Sequence, residues 1–371
     1  MIVFTKPVLI AFVLGFVTLV IFHGKKNDNV RVISPSCDLF PLPYGNNFWD
    51  DAAGVSVKTH TEETHICGPR VLIVGAMKCG TNTIGHLLQK HPRIKINDCE
   101  KSGFDCNMTT FQGSKLGDLW EGNDYTIGRA RHPDDWLKTW AERLPWTDGV
   151  SSISIDKSPS YFNTAKWPDI PRSINELLPN AKVIVTVCNP AERAFSLFHH
   201  YMDKNNTSSQ LWRKRFVDNG FPNVQTFDDL TDILFFACQT SSNEDFCSTL
   251  RKEILQIGEY AIRLQPWYEA YGKENVLVVD MNEDNLQKTA RILDLLGPST
   301  LPPEEYPWEE LDQEIEAATF KNLHYNGRSS AFHSYHASMT RLSQHYLLHN
   351  QELAQTLGEN FPLDWNDEIK K

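Results

Sequence analysis

The chain has 371 residues, 41% of them hydrophobic and 22% charged, which allows one large α/β domain or two modest ones. A net charge of -11 argues against a general nucleic-acid binder, so any polyanionic ligand must be met by a local basic cleft. No low-complexity tract or repeat of fixed period is present, which excludes fibrous and solenoid classes.

Residues 7–22 are apolar or small apart from Thr18, and Lys6 and Lys25-Lys26 bracket them. Such a run is either the core of a signal peptide or a short signal anchor. No small-x-small cleavage site follows, because Phe22-His23-Gly24-Lys25 fits poorly. An uncleaved transmembrane anchor over residues 7–24 is therefore expected, behind a tail of residues 1–6. Lys6 is balanced by Lys25, Lys26 and Arg31, so the positive-inside rule does not decide orientation. Glycosylation triplets at Asn107, Asn205 and Asn206 and a total of 8 cysteines point instead to a lumenal, oxidising compartment. Residues 25–67, with Ser-Pro, Pro-Leu-Pro and Gly-Asn-Asn punctuation and no sustained periodicity, read as a stem. The folded domain is expected over residues 68–371.

The domain opens with Arg70–Val74, a continuous apolar run suited to a strand buried on both faces. Residues 75–82 form a glycine-bearing loop and Thr83–Lys90 a helix ending before His91-Pro92. Further strands are expected at Ser152–Asp156, Lys182–Val187 and Asn275–Asp280, with helices at Arg193–Tyr201, Asn285–Leu296 and Ala337–Thr356. Strands of solid Val and Ile separated by helices imply parallel pairing with right-handed crossovers. Ligands bind such sheets at the carboxyl ends of the strands, where the sequence motifs fall. Cys238 and Cys247 enclose the polar loop QTSSNEDF, a natural staple between two helices. Cys99 with Cys106 and Cys37 with Cys67 are further pairings that spacing leaves open. No CxxC or Cys/His cluster has the spacing of a zinc site, and no Asp/Glu cluster points to a bound metal.

In VLIVGAMKCGTNTIGHLL a strand, a glycine turn and a helix start make an anion cradle of backbone N–H groups. Nucleotide-triphosphate enzymes require GxxxxGK[ST], but here Lys78 precedes Gly80 in the order G-x-x-K-x-G-T. This order resembles the 5′-phosphosulfate loop of sulfotransferases that use 3′-phosphoadenylyl sulfate (PAPS). KVIVTVCNPAERAFSLFHHY resembles the same family's 3′-phosphate segment, with Arg193 and Ser196 at matching positions and Cys188 where the family has an arginine. SISIDKSPSYF is similar to the Lys-Ser/Thr-Pro-x-Tyr-Phe element of the Golgi carbohydrate branch. That branch includes the heparan sulfate N-sulfotransferases, the glucosaminyl 3-O-sulfotransferases and a chondroitin 6-O-sulfotransferase acting on 4-sulfated residues. Gly258, Tyr260, Leu264 and Trp267 match the family's G-x-Y-x-x-x-L-x-x-W segment, and the Cys238–Cys247 spacing fits the branch's disulfide hairpin. Asn326-Gly327-Arg328-Ser329 is similar to its closing loop. The likeness runs over about residues 69–365.

The resemblance implies a P-loop-like doubly wound parallel sheet with helices on both faces. It also implies PAPS as donor, a glycan acceptor and a single-pass type II Golgi membrane protein with a lumenal domain. Lys78, Cys79, Gly80, Thr81, Asn82 and Thr83 would line the phosphosulfate, with Arg193, Ser196 and Arg328 toward the rest of the nucleotide. Sulfonyl transfer is an in-line displacement, so positioning and charge neutralisation carry the rate and no metal is required. Lys78 would meet the leaving phosphate oxygen, Lys157 the sulfonyl oxygens, and Glu100 would take the acceptor proton. Two other classes remain open on sequence alone: a P-loop kinase or NTPase, and a non-catalytic glycan-binding protein that keeps the fold.

Overall fold

The computed structural model describes residues 39–41, 65–96, 152–202, 207–297, 301, 305–307, 335–358 and 365. Two short strands, β1 (Leu39–Pro41) and β2 (His65–Cys67), pair antiparallel within the segment expected to be a plain stem. The main sheet holds β3 (Val71–Gly75), β4 (Ile94–Ile96), β5 (Ile153–Lys157), β6 (Lys182–Val187) and β7 (Val276–Asp280). All its pairings are parallel, in the spatial order β4-β5-β3-β6-β7. The strands expected from the apolar runs are present within one residue of their expected ends. The strand β4 was missed because its three residues, Ile94-Lys95-Ile96, are too few to show a period.

Helices occupy the crossovers: α1 (Thr81–Gln89), α2 (Ile170–Leu177), α3 (Pro190–Met202), α4 (Thr207–Asp218), α5 (Phe227–Asp232), α6 (Glu244–Ile254), α7 (Tyr260–Tyr271), α8 (Asn285–Leu296) and α9 (His336–Leu357). Alternate residues of the strands face opposite layers. Leu72, Val74, Val183, Val185 and Val278 pack with Ile174 of α2 and Leu264 and Trp267 of α7. Val71, Ile73, Ile155, Ile184 and Val279 pack with Ile84 and Leu88 of α1 and Ile292 of α8. With both faces covered, the strands must be apolar throughout, which is why they read as runs rather than alternations. A third cluster joins α3, α4, α5, α6 and α9 around Phe195, Phe198, Phe227 and Leu342. Cys238 and Cys247 are disulfide-bonded beside this cluster, as the spacing predicts.

The topology locates a cleft. From β3 the chain turns outward toward β4 on one side, and from β6 it turns outward toward β7 on the other. The loops that leave these two neighbouring strands therefore diverge, opening a crevice at their carboxyl ends. No helix among the described residues is long and apolar enough to cross a membrane. The expected anchor over residues 7–24 lies outside the described residues, as do Glu100, Asn107, Asn205, Asn206 and Arg328.

Candidate active site

The crevice between β3 and β6 gathers three of the sequence motifs. Gly75 ends β3 with φ +143°, and a Cβ there would stand 2.5 Å from Phe162 Cβ and 2.7 Å from the Pro159 carbonyl oxygen. Only glycine lets this turn press so closely on the segment after β5. Ala76 N–H donates to Thr186 O at 2.7 Å, and Thr186 Oγ1 donates to Gly75 O at 3.0 Å, so the turn is stitched to β6. Lys78 then takes φ +71°, an uncommon setting for a residue with a Cβ and one that accumulates at functional sites.

Gly80 in the left-handed region leads into α1, and no side chain caps that helix. The first-turn N–H groups of Thr81, Asn82 and Thr83 lack intrahelical partners by construction, and the helix dipole adds partial positive charge there. The loop and uncapped helix start have the form an anion cradle requires, with the helix starting two residues earlier than expected from the sequence. Lys157, at the end of β5, is buried and runs past Gly85, where an added Cβ would sit 3.2 Å from Lys157 Cδ. Its ammonium donates to Asn82 Oδ1 at 2.9 Å, which brings the second expected lysine to the first turn of α1. Pro159 starts the tight turn Pro159–Phe162, and Ser158 Oγ donates to Asp156 Oδ1 at 2.8 Å.

On the β6 side, Asn189 Oδ1 accepts from Ala191 N–H at 3.0 Å, so the Asn-Pro pair is the start of α3: a side-chain cap followed by a proline at a position needing no donor. Ser196 lies on α3, half-buried. Arg193 lies on the same helix. It is fully buried, its Nη2 donates to Ile254 O, and among the described residues no carboxylate pairs with it. Arg193 thus sits beneath α9, where Tyr346 also donates to Leu255 O at 3.0 Å. Burial and then the nearby charges act on Tyr346, whose hydroxyl is pushed up to about 12 despite Arg193.

Cys79 and Cys188 form a disulfide with Cα atoms 5.3 Å apart. It joins the loop after β3 to the loop after β6 directly across the crevice. Cys188 Sγ lies 3.9 Å from Lys78 O, and Tyr260 OH donates to Cys188 O at 2.9 Å while lying 3.3 Å from Cys79 Sγ. Burial, above all, holds the Tyr260 hydroxyl protonated far above the ordinary range, fixing it as a donor. The Cys79 side chain is thus a buried bridge beneath the loop, 1% exposed. Residues 68–347 match the sulfotransferase domain family.

The chain belongs to that family. This sulfotransferase is 28% identical over 252 residues to bifunctional heparan sulfate N-deacetylase/N-sulfotransferase 2 of Bos taurus, covering 66% of this chain and 24% of that protein. It is 24% identical over 241 residues to bifunctional heparan sulfate N-deacetylase/N-sulfotransferase 1 of Caenorhabditis elegans, covering 65% and 23%. The chain thus spans about a quarter of the length of these relatives. A solved sulfotransferase from Alicyclobacillus acidocaldarius aligns with a TM-score of 0.41 at 19% identity, covering 63% of this chain and 83% of that chain.

Two features of the sulfotransferase escaped the sequence pattern. The Cys79–Cys188 bridge had a readable signal, since both residues follow strands of solid Val and Ile and would be neighbours if those strands paired. The second is a trio of Glu259, His345 and His349, whose sequence trace is two histidines four apart on the last helix.

Proposed function

We propose that this sulfotransferase moves the sulfonyl group of PAPS to a hydroxyl or amino group of a carbohydrate, on a glycosaminoglycan-like acceptor. The observation that carries the reading is the meeting of the uncapped α1 start with Lys78 and Lys157 at one switch point of the sheet. Both cited relatives are named for heparan sulfate, which supports a glycan acceptor. In the transfer, the sulfur–oxygen bond to the 5′-phosphate breaks as a bond to the acceptor forms. Lys78 and the α1 N–H groups neutralise the phosphate oxygen that departs, and Lys157 holds the sulfonyl oxygens. The acceptor proton goes to a carboxylate, with Glu100 in that role. The disulfides Cys79–Cys188 and Cys238–Cys247 support a lumenal, oxidising location, in keeping with a type II Golgi membrane protein.

A second reading has one observation behind it. Cys188 stands where the resemblance expects an arginine and is locked in a disulfide, so that charge is missing and the protein would bind glycans without transfer. Radiolabelled sulfonyl transfer from PAPS to a panel of glycans separates the two. Transfer by the wild type that falls roughly 10²–10³-fold in Lys78→Ala, the size of a lost charge stabiliser, supports catalysis. Absence of transfer by the wild type, with glycan binding retained, overturns it.

A further inference from the structure

His345 and His349 lie four residues apart on α9, so their imidazoles share one face one turn apart. That face packs on the turn that enters α7, where Glu259 sits. The contact is fixed by the residue between the histidines: Tyr346 donates to Ile254 O at 3.3 Å and Leu255 O at 3.0 Å. An added Cβ at Gly258 would stand 2.9 Å from the Tyr346 ring, so no other residue lets the helix come so near. The register between the histidine face and Glu259 is therefore set by buried packing rather than by the three polar groups themselves.

Glu259 Oε1 lies 3.8 Å from His345 Nε2 and 3.9 Å from His349 Nε2, and one ligand atom from each residue falls within 4.8 Å of the others. These gaps are too long for hydrogen bonds. They are close to the span of an ion: ligands about 2.1 Å from a tetrahedral metal sit roughly 3.4 Å apart. His345 Nε2 is buried with no hydrogen-bond partner, an orphan aimed at the carboxylate it does not reach. Two charged groups stand close to these ligands, although neither is within hydrogen-bond distance, and His349 Nδ1 is itself without a hydrogen-bond partner. His349 Nδ1 is 3.5 Å from Glu352 Oε2, and Arg263 Nη2 is 3.9 Å from Glu259 Oε2.

The geometry points to a divalent transition-metal site formed by Glu259, His345 and His349, taking zinc or an ion of similar preference. Two imidazoles and one carboxylate suit zinc, cobalt, nickel or copper better than magnesium or calcium, which favour oxygen alone. Three protein ligands leave a fourth position for water. The ion would clamp α9 to the residue next to Tyr260, whose hydroxyl holds the Cys188 carbonyl of the donor crevice. The site stands apart from the sulfonyl-transfer reading and survives its failure.

The test uses the full chain, stripped with chelator and dialysed, then titrated with zinc chloride and separately with cobalt chloride. The expected result is one saturable ion per chain, tetrahedral cobalt absorption bands, and a raised unfolding temperature with zinc but not with magnesium or calcium. Glu259→Gln, which keeps the shape, is expected to weaken zinc binding at least about tenfold, and Glu352→Gln to weaken it by about tenfold. The double variant His345→Ala/His349→Ala, checked for folding by circular dichroism, loses the bands, whereas His86→Ala keeps them. Absence of cobalt bands in the wild type, or full zinc binding in a folded double variant, overturns the site.

Discussion

Removing the Cys79–Cys188 bridge isolates what a covalent tie across the crevice contributes. The two cysteines are 109 residues apart, against 9 for Cys238–Cys247. Closing a loop in the unfolded chain removes entropy that grows with the logarithm of its length, giving about 4.8 kcal/mol for the long bridge and about 2.6 kcal/mol for the short one. Cys79, Cys238 and Cys247 are buried and Cys188 is half-buried, so alanine replacement leaves cavities no larger at the long bridge, and an excess loss of about 2 kcal/mol there reports the loop term. Cys79→Ala/Cys188→Ala and Cys238→Ala/Cys247→Ala are compared by urea unfolding followed by tryptophan fluorescence. The long-bridge variant is expected to lose the larger free energy, and hydrogen exchange at residues 76–80 to quicken in that variant alone. Equal losses, or a larger loss for the short bridge, would refute the reasoning from loop length.

Acid should expose a second interaction. Burial acts to raise the Glu253 carboxyl, but Lys166 at 2.7 Å and Arg215 at 2.9 Å outweigh it and hold the group below its ordinary 4.5. A depressed carboxyl stabilises the fold above the ordinary value and loses that stability as pH falls through its folded one. Glu253→Gln is therefore expected to cost about 1–3 kcal/mol at neutral pH and to flatten the stability profile below pH 4.5. A variant whose acid profile overlays the wild type removes the assignment. Gly75→Ala tests the turn under the cradle: the left-handed backbone costs about 1–2 kcal/mol and the overlap with the Pro159 carbonyl a further 1–3 kcal/mol or so. Thermal unfolding reads that loss, and an unchanged midpoint would mean the close approach is not real.

The apolar runs at Val71–Gly75, Lys182–Val187 and Val276–Asp280 were readable because parallel strands buried on both faces have no polar positions to hide them. The turn between β3 and α1 was readable because positive backbone angles at Gly75 and Gly80 show in the sequence as glycine placement. Arg193 is the harder case: it lies on α3 three residues before Ser196, and its guanidinium is buried against Ile254 O from a distant segment. Spacing along a helix gives the face only when the direction of the core is known, and that depended on α9, far away in sequence. The metal trio was hidden for the same reason: Glu259 and His349 belong together only once Tyr346 seats against Gly258.

The bridge also bears on the balance of forces at the crevice proposed for the donor. A disulfide brings no charge, so on the proposed reading the donor's anionic groups would fall to the α1 N–H groups, Lys78 and Lys157. What the sulfur pair supplies instead is order. It ties the turn holding Lys78 to the strand end that starts α3, and Tyr260 buttresses both cysteines from below. Binding a flexible loop costs entropy at the moment of binding, whereas a loop already fixed in place has lost that entropy on folding. On the proposed reading, a covalent tie would recover by preorganisation part of the affinity that the arginine expected at Cys188 would have given. On the same reading the tie suits an oxidising compartment, where such bonds persist.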